Sequence, residues 1–360
     1  MKNLDTYKNL KVIITGSTGF KGSWLCFWLN LLGAKVIGIS LKPEVGSILY
    51  KKFNLKNKIT QYLVDIRNYK KLNAIIKREK PDIIFHLAAQ SVVYDSYLFP
   101  LETLSTNILG SSNILETVRE NKIKNLVYIT SDKCYLNDGR KYSYSENSIL
   151  GGEDLYSSSK ASAELIFESY LKSFFNKNKK LKFASARAGN VIGGGDLKKD
   201  RIIPDVMRSI SKNRPLIIRN PNATRPWQHV LEPLSGYLTL GDKLINNKIS
   251  TAKIKPNWNF GPEKINNITV IEIVKKILQY WGSKKEINII NNKKFKEAKL
   301  LMIDNNKAKK ELNWYPKLSS DETIKLTVDW YKKLFEGSSL EDLTIDQINF
   351  YSNKKIKYEK

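Results

Sequence analysis

The 360-residue chain (41.4 kDa) contains 61 Lys and Arg residues against 35 Asp and Glu, so its formal net charge is +26. Its two cysteines, Cys26 and Cys134, exclude a disulfide framework and a cysteine metal cluster, and they suit a reducing cytoplasm. Its two histidines exclude a histidine-rich metal site. The N-terminus lacks the apolar region of a signal peptide, and the most apolar window, 24–32, is too short to span a bilayer. We therefore expect a cytoplasmic protein with no metal and no membrane partner.

The positive charge raises nucleic acid as a partner. The lysines, however, are scattered through a chain that is also rich in Asn and Ile, in runs such as 177–180. No RNA- or DNA-binding motif accompanies them. We interpret the charge as a composition bias on solvated faces that can still attract an anionic substrate, and we expect no nucleic-acid partner. A basic nucleic-acid binder is the alternative.

The first predicted elements are a strand, a glycine loop and a helix. Residues 11–15 form a β-branched apolar run that is typical of a parallel strand covered on both faces, and an apolar helix is expected over 23–32. Between them lies GSTGFKG, whose glycines let the backbone turn tightly and approach a pyrophosphate at the helix N-terminus. With a second strand at 34–41, this pattern predicts dinucleotide binding. That strand ends without a carboxylate and is followed by Lys42, which would suit a 2′-phosphate, so this position does not decide between NAD and NADP.

The third and fourth predicted strands each end in a polar side chain. The third, at 59–64, is followed by Asp65, which could reach the adenine amino group or cap the helix that begins near Asn68. The fourth strand lies within 81–90 and runs into small residues that could admit a nicotinamide ribose. We interpret its His86 as hydrogen-bonded at the strand end, not as catalytic.

A polar triplet follows the next predicted strand. A helix is expected over 101–121 and a strand over 125–130, which delivers Ser131, Asp132 and Lys133 to the carboxyl edge of the sheet. Ligands of doubly wound folds bind at this edge. Ser131 can hydrogen-bond a substrate hydroxyl, and the two residues after it offer an acid and a base.

Tyr156 and Lys160 lie four residues apart at the start of an apolar-periodic run, so a helix places both on one face. An ammonium held near a phenol favours the phenolate, and the pair could accept a proton far below a free tyrosine's pKa of about 10. The same spacing arises by chance on ordinary helices. It acquires meaning here from the glycine loop and from Ser131.

Arginines and aromatic residues follow the sixth predicted strand, 181–187. A glycine-rich segment, 188–196, reads as a loop or hinge over the cleft. Beyond it, Arg201, Arg225 and Trp227 interleave guanidinium groups with aromatic surface. Such chemistry suits a diphosphate and a stacked base.

The predicted fold is α/β, a doubly wound parallel sheet of the Rossmann type with a smaller C-terminal α/β substrate domain. A short strand at 258–261 and helices at 268–281 and 324–334 complete the predicted elements. The expected division is a cofactor-binding domain at 1–187, to which about 226–262 returns, a substrate domain at 188–225 and 263–350, and a polar tail at 351–360.

With these elements in place, the sequence resembles the extended short-chain dehydrogenase/reductase family over nearly its whole length. Within it, the resemblance is to the sugar nucleotide 4,6-dehydratases that act on CDP-glucose, and it rests on the stretches TGSTGFKGSW, HLAAQSVV, TSDKCY, GGEDLYSSSK, ARAGNVIGGGD and RPWQHVLEPLSGY. Dehydratases of dTDP-glucose or GDP-mannose usually carry Asp-Glu where this chain has Asp132 and Lys133. The chain departs from the pattern at Tyr94, where arginine is usual, and in an insertion at 142–145. Both departures bear on the sugar side of the cleft.

The resemblance implies a tightly held NAD that is regenerated in each turnover, with NADP less favoured, and a sugar nucleotide substrate. The implied cofactor-binding residues are Gly16, Thr18, Gly19, Phe20, Gly22, Asp65, Ile66, Ala88, Ala89, Asn107, Tyr156 and Lys160. The implied substrate-binding residues are Gln90, Ser91, Asn190, Arg201, Arg225 and Trp227. A homodimer or homotetramer is expected, with the helices at 101–121 and 156–175 as plausible contact faces.

The resemblance also implies the chemistry. Tyr156, helped by Lys160 and Ser131, takes the C4 hydroxyl proton while hydride passes to NAD; Lys133 removes the C5 proton and Asp132 protonates the departing C6 hydroxyl. The hydride returns to C6 and gives a 4-keto-6-deoxy product. A lysine accepts a proton only when neutral, so Lys133 needs burial or nearby positive charge, and stabilisation of the enolate is its alternative role. Another NDP-sugar 4,6-dehydratase, a C4 epimerase, a simple dehydrogenase and a catalytically silent nucleotide sensor are the competing interpretations.

Overall fold

A parallel sheet of seven strands forms the centre of the molecule. The computed structural model describes residues 4–43, 48–139, 142–175, 181–199, 201–249, 255–263, 268–290 and 302–356. The strands are β1 Lys11–Thr15, β2 Lys35–Ser40, β3 Thr60–Leu63, β4 Ile83–His86, β5 Asn125–Ile129, β6 Lys182–Ala188, β7 Val191–Ile192, β8 Leu216–Ile218, β9 Thr224–Arg225, β10 Gln228–His229, β11 Asn257–Phe260, β12 Ile268–Thr269 and β13 Ile287–Ile289. The α-helices are α1 Phe20–Leu31, α2 Ile48–Lys52, α3 Leu55–Lys58, α4 Tyr69–Glu79, α5 Val93–Leu98, α6 Pro100–Leu104, α7 Ser111–Glu120, α8 Leu155–Tyr170, α9 Ile202–Ser211, α10 Leu231–Ile245, α11 Val270–Trp281, α12 Ser320–Phe335 and α13 Leu340–Asn353. Short 3₁₀ segments lie at Asp5–Tyr7 and Asp132–Cys134, and π-helical segments lie at Ser105–Gly110, Leu171–Phe175 and Ala308–Leu312.

The sheet has the strand order β11-β6-β5-β4-β1-β2-β3, and all neighbouring strands run parallel. β4 and β5 are buried along their whole length, and β1 is exposed only at Lys11. Strands covered on both faces by helices read as continuous apolar runs, which is why the sequence marks them clearly. The doubly wound α/β class predicted from the sequence is confirmed.

The sheet changes its direction of growth at β1. β2 and β3 lie on one side of it, and β4, β5 and β6 lie on the other. The carboxyl ends of β1 and β4 are adjacent, with Thr15 opposite His86. The loops that leave these two strands therefore diverge around a crevice, where open α/β sheets bind their ligands.

The helix predicted over 101–121 is interrupted in the structure. α6 and α7 are separated by the π-helical segment Ser105–Gly110. Asn107 in this segment is fully buried, and its side chain hydrogen-bonds to both backbone groups of Gln90. A Cβ at Gly110 would lie 2.7 Å from the side chain of Ile66. The wider turn is thus held by tertiary contacts, which apolar periodicity alone does not record.

A smaller lobe lies beside the central sheet. α9, α11 and α12 pack together with the strand pairs β8–β13 and β9–β12 around an apolar core. The glycine-rich loop 188–196 contacts this lobe closely, because a Cβ at Gly194 would lie 1.9 Å from the indole of Trp330. Close packing against a tryptophan accounts for this glycine without a phosphate. β11 then returns to the edge of the central sheet beside β6.

The last helix was not predicted. α13 ends at Asn353, so it extends into the segment expected to be a polar tail. It buries Tyr351, whose hydroxyl donates a hydrogen bond to Glu232 at 2.7 Å. Residues 357–360 of the expected tail and the lysine run at 177–180 lie outside the described ranges. No helix within those ranges is long and apolar enough to cross a membrane.

Candidate active site

The glycine loop joins β1 to α1 in a tight turn. Gly16 has φ 75°, in the region that favours glycine, and its carbonyl accepts a hydrogen bond from the Gly19 N–H at 3.0 Å. A Cβ at Gly22 would lie 2.0 Å from that same carbonyl oxygen. The loop therefore closes only with glycine at these places, and it presents the N-terminal amides of α1, which begins at Phe20, to the crevice.

The residues that follow β3 exclude one of the two roles considered for Asp65. Asn68 caps α4 with its own side chain, which accepts from the Lys71 N–H, so Asp65 is not the helix cap. The Asp65 carboxylate is instead paired with Arg67 at 2.6 Å. Although partial burial opposes the effect, the hydrogen bonds from Arg67 lower the pKa of Asp65. Asp65 is thus held as an anion at the crevice, and its contact with an adenine stays a prediction.

The fourth strand end is a hydrogen-bonded support for the crevice. His86 is buried, with Nδ1 2.8 Å from the Thr15 hydroxyl and Nε2 3.1 Å from that of Ser111. Burial, with a contribution from the charge of Lys160, lowers the pKa of His86 to about 3. His86 is therefore a neutral structural residue, as the sequence indicated. Ala88 approaches within 3.0 Å of a Cβ placed at Gly16, so the loops after β1 and β4 touch.

The turn after β5 presents the predicted acid–base pair. Ser131 caps this turn, because its hydroxyl accepts from the Lys133 N–H at 3.2 Å and donates to Asp132 Oδ1 at 2.9 Å. Asp132 is 2% exposed, and Oδ2 has no hydrogen-bond partner among the described residues. Burial raises the pKa of Asp132 despite the charges of Lys133 and Arg225. The carboxyl group is thus suited to carry and deliver a proton.

α8 brings Tyr156 and Lys160 onto its buried face, as the spacing predicted. The helix begins at an N-cap, Asp154, whose carboxylate accepts from the Ser157 N–H at 2.9 Å. Tyr156 and Lys160 are each 7% exposed, and the lysine Nζ lies 5.8 Å from the centre of the tyrosine ring. The hydrogen bond of Asn107 to Ser159, at 2.9 Å, ties this helix to the π-helical segment Ser105–Gly110.

The protonation of this pair differs from the expectation. Burial raises the pKa of Tyr156 to about 12, despite its interaction with Ser131. Burial and the charge of Lys21 lower the pKa of Lys160 to about 7. Removal from water penalises both the phenolate and the ammonium, so near pH 7 the ligand-free tyrosine is neutral and about half of the lysine is uncharged. Proximity of the two residues is therefore not enough to activate the tyrosine without further positive charge.

Lys21 is a site residue that the sequence analysis missed. It lies in the first turn of α1, with Nζ 5.9 Å from the ring centre of Tyr237. Desolvation and the charge of Arg201 lower the pKa of Lys21 to about 8, while Asp132 acts in the opposite direction. Its signal in the sequence is the single charge within the glycine loop motif, in the first turn of an otherwise apolar helix.

A second missed set lies one turn beyond Lys160. Glu164 accepts hydrogen bonds from Ser185 at 3.0 Å and from Arg187 at 2.7 Å, and the acid and the arginine are each 2% exposed. Arg187 also donates to the Tyr135 hydroxyl at 2.8 Å. This network ties α8 to β6 and to the turn that carries Asp132. Buried charges survive only when paired in this way, but nothing in their sequence spacing announces the pairing.

The expected substrate-binding residues already make hydrogen bonds within the protein. Arg201 is placed at the cleft, donating to Asp196 at 2.8 Å and to the Ser91 hydroxyl at 2.9 Å. The Gln90 amide is engaged within the protein, with Val92 and Thr103. Arg225 is buried near Asp132, and the Asn190 carbonyl accepts from the Gln228 N–H at 3.1 Å.

Trp227 does not fit the stacking role expected of it. It is 5% exposed, belongs to the core of the smaller lobe, and donates its indole N–H to the Ile268 carbonyl at 3.2 Å. Its aromatic faces are thus covered by the protein. The alternation of arginine and aromatic residues that suggested a base platform reflects the packing of this lobe at Trp227.

Together, these elements form one crevice with two halves. The glycine loop and the ends of β3 and β4 offer amides and small residues suited to a dinucleotide, and the turn after β5 and α8 offer a serine, a carboxyl and two lysines beside it. Cations converge on the same space, namely Lys21, Lys133, Lys160, Arg201 and Arg225. This arrangement can bind anions and move protons between neighbouring oxygen atoms.

Comparisons with known proteins agree with this geometry. The family model described as GDP-mannose 4,6 dehydratase matches residues 13–327. CDP-glucose 4,6-dehydratase of Salmonella typhimurium is 43% identical over 339 residues, which cover 93% of this chain and 94% of that protein. dTDP-D-glucose 4,6-dehydratase of Dictyostelium discoideum is 28% identical, covering 92% of this chain and 84% of that protein.

Solved structures share the fold. UDP-glucose 4-epimerase of Thermotoga maritima, solved with UDP-glucose, superposes with a TM-score of 0.78 at 22% identity and covers 90% of this chain and 99% of that one. dTDP-glucose 4,6-dehydratase of Bacillus anthracis, solved in complex with NAD, superposes with a TM-score of 0.75 at 23% identity and covers 93% and 99%. With the family model matched over most of its length, the chain belongs to the GDP-mannose 4,6-dehydratase family of extended short-chain dehydrogenases/reductases.

Proposed function

We propose that the protein is a sugar nucleotide 4,6-dehydratase that converts CDP-glucose to CDP-4-keto-6-deoxyglucose with loss of water. The observation that carries the proposal is the turn after β5, where a buried carboxyl group and a lysine lie beside Ser131 and the Tyr156–Lys160 pair. Oxidation at C4 requires only the tyrosine, lysine and serine, whereas removal of water across C5 and C6 requires an additional acid and base. The 43% identity to a CDP-glucose 4,6-dehydratase supports the choice of nucleotide.

The cofactor proposed for this site is NAD. The fit is supported by the glycine loop, where the space beside Gly16 is closed to any Cβ at Gly22, and by the amides at the start of α1. When bound, NAD supplies the group that takes hydride from C4 and returns it to C6. The residues proposed to hold it are Gly16, Thr18, Gly19, Phe20, Gly22, Asp65, Ile66, Ala88, Ala89, Asn107, Tyr156 and Lys160.

The first proton transfer is assigned to Tyr156. Its phenolate accepts the C4 hydroxyl proton, while the Ser131 hydroxyl orients that oxygen by a hydrogen bond. The phenolate must be stabilised by further positive charge, since burial, the largest effect, raises the pKa of Tyr156 to about 12. Lys160 supplies such charge from 5.8 Å when protonated, and Arg201 acts in the same direction.

The elimination is assigned to the neighbouring pair. A ketone at C4 makes the C5 proton more acidic, and Lys133 removes that proton. Asp132 protonates the C6 hydroxyl group, which then departs as a water molecule. The raised pKa of Asp132 supports this role, because a carboxyl group must be protonated to act as an acid.

The diphosphate is proposed to bind across the smaller lobe. Arg201 and Arg225 offer guanidinium groups, and Asn190, Ser91 and the backbone at Gln90 line the same side of the crevice.

We also propose the domain division expected from the sequence, with its tail shortened by α13, and a homodimer or homotetramer. Exposed apolar side chains on α8 and on the helical segments beside it support self-association, among them Leu165 at 52%, Leu101 at 80% and Leu109 at 55% exposure. Free, buried thiols at Cys26 and Cys134 support a cytoplasmic location.

Three substrates test the proposal directly. The enzyme is incubated separately with CDP-glucose, dTDP-glucose and GDP-mannose in deuterated water, and the 4-keto-6-deoxy product is followed by its absorbance in alkali. We expect product from CDP-glucose, with deuterium incorporated at C5, and loss of that incorporation in Lys133→Met. Product from another sugar nucleotide alone would contradict the choice of CDP-glucose, and epimerised sugar without loss of water would indicate a C4 epimerase. Normal incorporation in Lys133→Met would instead assign the lysine to stabilising the enolate.

A further inference from the structure

Asp196, the last residue of the glycine-rich loop 188–196, is given no role by the proposed function, on which the present inference rests. Its backbone carbonyl accepts a hydrogen bond from the hydroxyl of Tyr331 on α12, a side chain that is fully buried. Two residues earlier, the carbonyl of Gly194 accepts from the indole N–H of Trp24 on α1 at 3.0 Å. The end of the loop is therefore held from both sides, by α1 and by α12.

The carboxylate of Asp196 is engaged at both of its oxygens. Oδ1 accepts a hydrogen bond from the backbone N–H of Lys198 at 3.2 Å, and Oδ2 accepts from Nη1 of Arg201 at 2.8 Å. The aspartate side chain is 9% exposed, whereas the arginine side chain is 30% exposed. The acid is thus mostly withdrawn from water, and the guanidinium group that it holds stays accessible to a ligand.

Arg201 also links the smaller lobe to the loop after β4. It directly precedes α9, and its Nη2 atom donates to the hydroxyl of Ser91 at 2.9 Å and to the carbonyl of the same residue at 3.4 Å. A second pair lies nearby, since Nζ of Lys198 is 3.5 Å from Oδ2 of Asp95 on α5. The guanidinium group is therefore oriented by contacts on two sides, and its Nε and Nη1 atoms carry further N–H donors.

We propose that Asp196 is a positioning residue for substrate binding, which orients the guanidinium group of Arg201 so that its remaining donors meet the diphosphate of the sugar nucleotide. A long side chain that is already ordered loses less conformational freedom when the ligand binds. An aspartate by itself repels a diphosphate, because both are negatively charged. Any favourable contribution of Asp196 to binding must therefore act through the arginine.

The sign of the charge separates this role from two simpler ones. If Asp196 were only a nearby negative charge, its neutralisation would strengthen the binding of a diphosphate. If it only stabilised the loop, neutralisation would lower the stability of the protein without a specific effect on binding. Orientation of Arg201 differs from both, because neutralisation then weakens binding and does so only while the arginine is present.

The test compares Asp196→Asn with wild type, both with NAD bound. Asparagine has nearly the same shape and can still accept from the Lys198 N–H, but it has no charge with which to hold the guanidinium group. We expect the dissociation constant for CDP and the KM for CDP-glucose to rise roughly tenfold, with kcat changing less than about twofold. Asp196→Ser, whose side chain is too short to hold the arginine, is a second variant with the same expectation.

Asp95→Asn is the matched control. It removes an equal charge close to the same loop, but the described partner of Asp95 is Lys198, whereas Arg201 is bonded to Asp196. We expect CDP to bind to Asp95→Asn at least as tightly as to wild type, because a negative charge near the anion is lost. Weakening of CDP binding in Asp95→Asn to the same extent as in Asp196→Asn would overturn the proposal.

A double-mutant cycle with Arg201→Ala tests whether the effect passes through the arginine. In the Arg201→Ala background, Asp196→Asn should change the dissociation constant for CDP by less than about twofold, because no guanidinium group is left to orient. A roughly tenfold loss in that background, or unchanged or tighter binding of CDP in Asp196→Asn alone, would overturn the proposal. Wild type that binds another nucleoside diphosphate and not CDP would instead contradict the choice of substrate, and the same variants would then be compared with that nucleotide.

Discussion

Burial of Lys160 opposes the positive charge that its proposed function requires. A buried ammonium loses its hydration, and its pKa falls to about 7 from an ordinary value of 10.5. The charge of Lys21 acts in the same direction, and Glu164 opposes it. The folded protein therefore binds fewer protons at this position than the unfolded chain does between these two pH values. Stability of the ligand-free protein must rise with pH in that window.

Substitution of Lys160 by methionine should expose this effect. Below pH 7 the lysine is charged in both states and the folded protein carries the full penalty of burying it, so Lys160→Met should be the more stable protein. The advantage should shrink between pH 7 and 10, by up to about 1.4 kcal/mol per pH unit, as the wild type folds with a neutral amine. The measurement is the free energy of unfolding in urea at a series of pH values.

Lys172 provides the matched control. It follows α8 at the protein surface, where its side chain is 70% exposed and pairs with Glu168 at 3.0 Å. Lys172→Met should therefore show nearly the same pH dependence as wild type. A constant difference between wild type and Lys160→Met over the whole pH range would mean that Lys160 stays hydrated in the folded protein.

At this scale the sequence predicts which residues meet but not their protonation. The four-residue spacing placed Tyr156 and Lys160 on one face, and the strand end placed Ser131 beside them. Burial depends on what the rest of the chain lays over the helix, and no spacing encodes it. For the same reason the sequence offered Trp227 to a ligand, although the smaller lobe covers it.

At the scale of elements, a buried ion pair joins α8 to β6. Glu164 and Arg187 are 2.7 Å apart at 2% exposure, and Thr130 and Ser185 complete the coordination of the carboxylate. Although burial opposes the effect, Arg187 lowers the pKa of Glu164. The pair fixes the helix that carries Tyr156 against the sheet, so its loss should affect both stability and the site.

Glu164→Gln should destabilise the protein by roughly 3–5 kcal/mol, because it leaves the Arg187 charge buried without a counterion. The control is Glu116→Gln, which breaks a surface pair with Arg119 whose side chains are 29% and 39% exposed, and which should cost less than about 1 kcal/mol. Both values are measured by urea denaturation at one pH. Equal losses in the two variants would show that burial adds nothing to the Glu164 pair.

Elements with apolar runs were predicted well, and elements with polar cores were not. Apart from the fourth, whose predicted range 81–90 extends four residues past the end of β4, the central strands were found within one or two residues of their ends, and most of them are buried on both faces. α13 escaped prediction because Thr344 and Gln347 occupy positions on its buried face, which conceals the helical spacing of Leu340, Ile348 and Tyr351. α10 contains Pro233, Gly236 and Gly241, which resemble breaks, yet a Cβ at Gly236 would lie 2.2 Å from Phe260. Its glycines allow close packing between elements, and the sequence alone does not show that packing.

For the molecule as a whole, the order of strands and helices along the chain predicted where the crevice lies. The net charge was a poorer predictor of what the crevice binds. Alternating strands and helices admit few arrangements, since crossovers between parallel strands are right-handed, and the order of the sheet follows closely from that rule. The net charge of +26 has no comparable geometric meaning. It acts through the summed field, which falls off within about 10 Å at 0.1 M salt.

The electrostatic field of the protein should affect the binding of the substrate, measured by KM, and not the rate of the chemical steps, measured by kcat. A sugar nucleotide carries a diphosphate, and Lys21, Arg201 and Arg225 surround the crevice in which it is proposed to bind. We expect the KM for CDP-glucose to rise several-fold between about 0.05 and 0.5 M sodium chloride, with kcat changing less than about twofold, because salt screens the approach of the anion but little of a closed, buried site. Sucrose at matched osmolality controls for effects of water activity and should leave KM unchanged. A KM independent of salt would mean that short-range hydrogen bonds alone hold the diphosphate and that the surface lysines are a bias of composition.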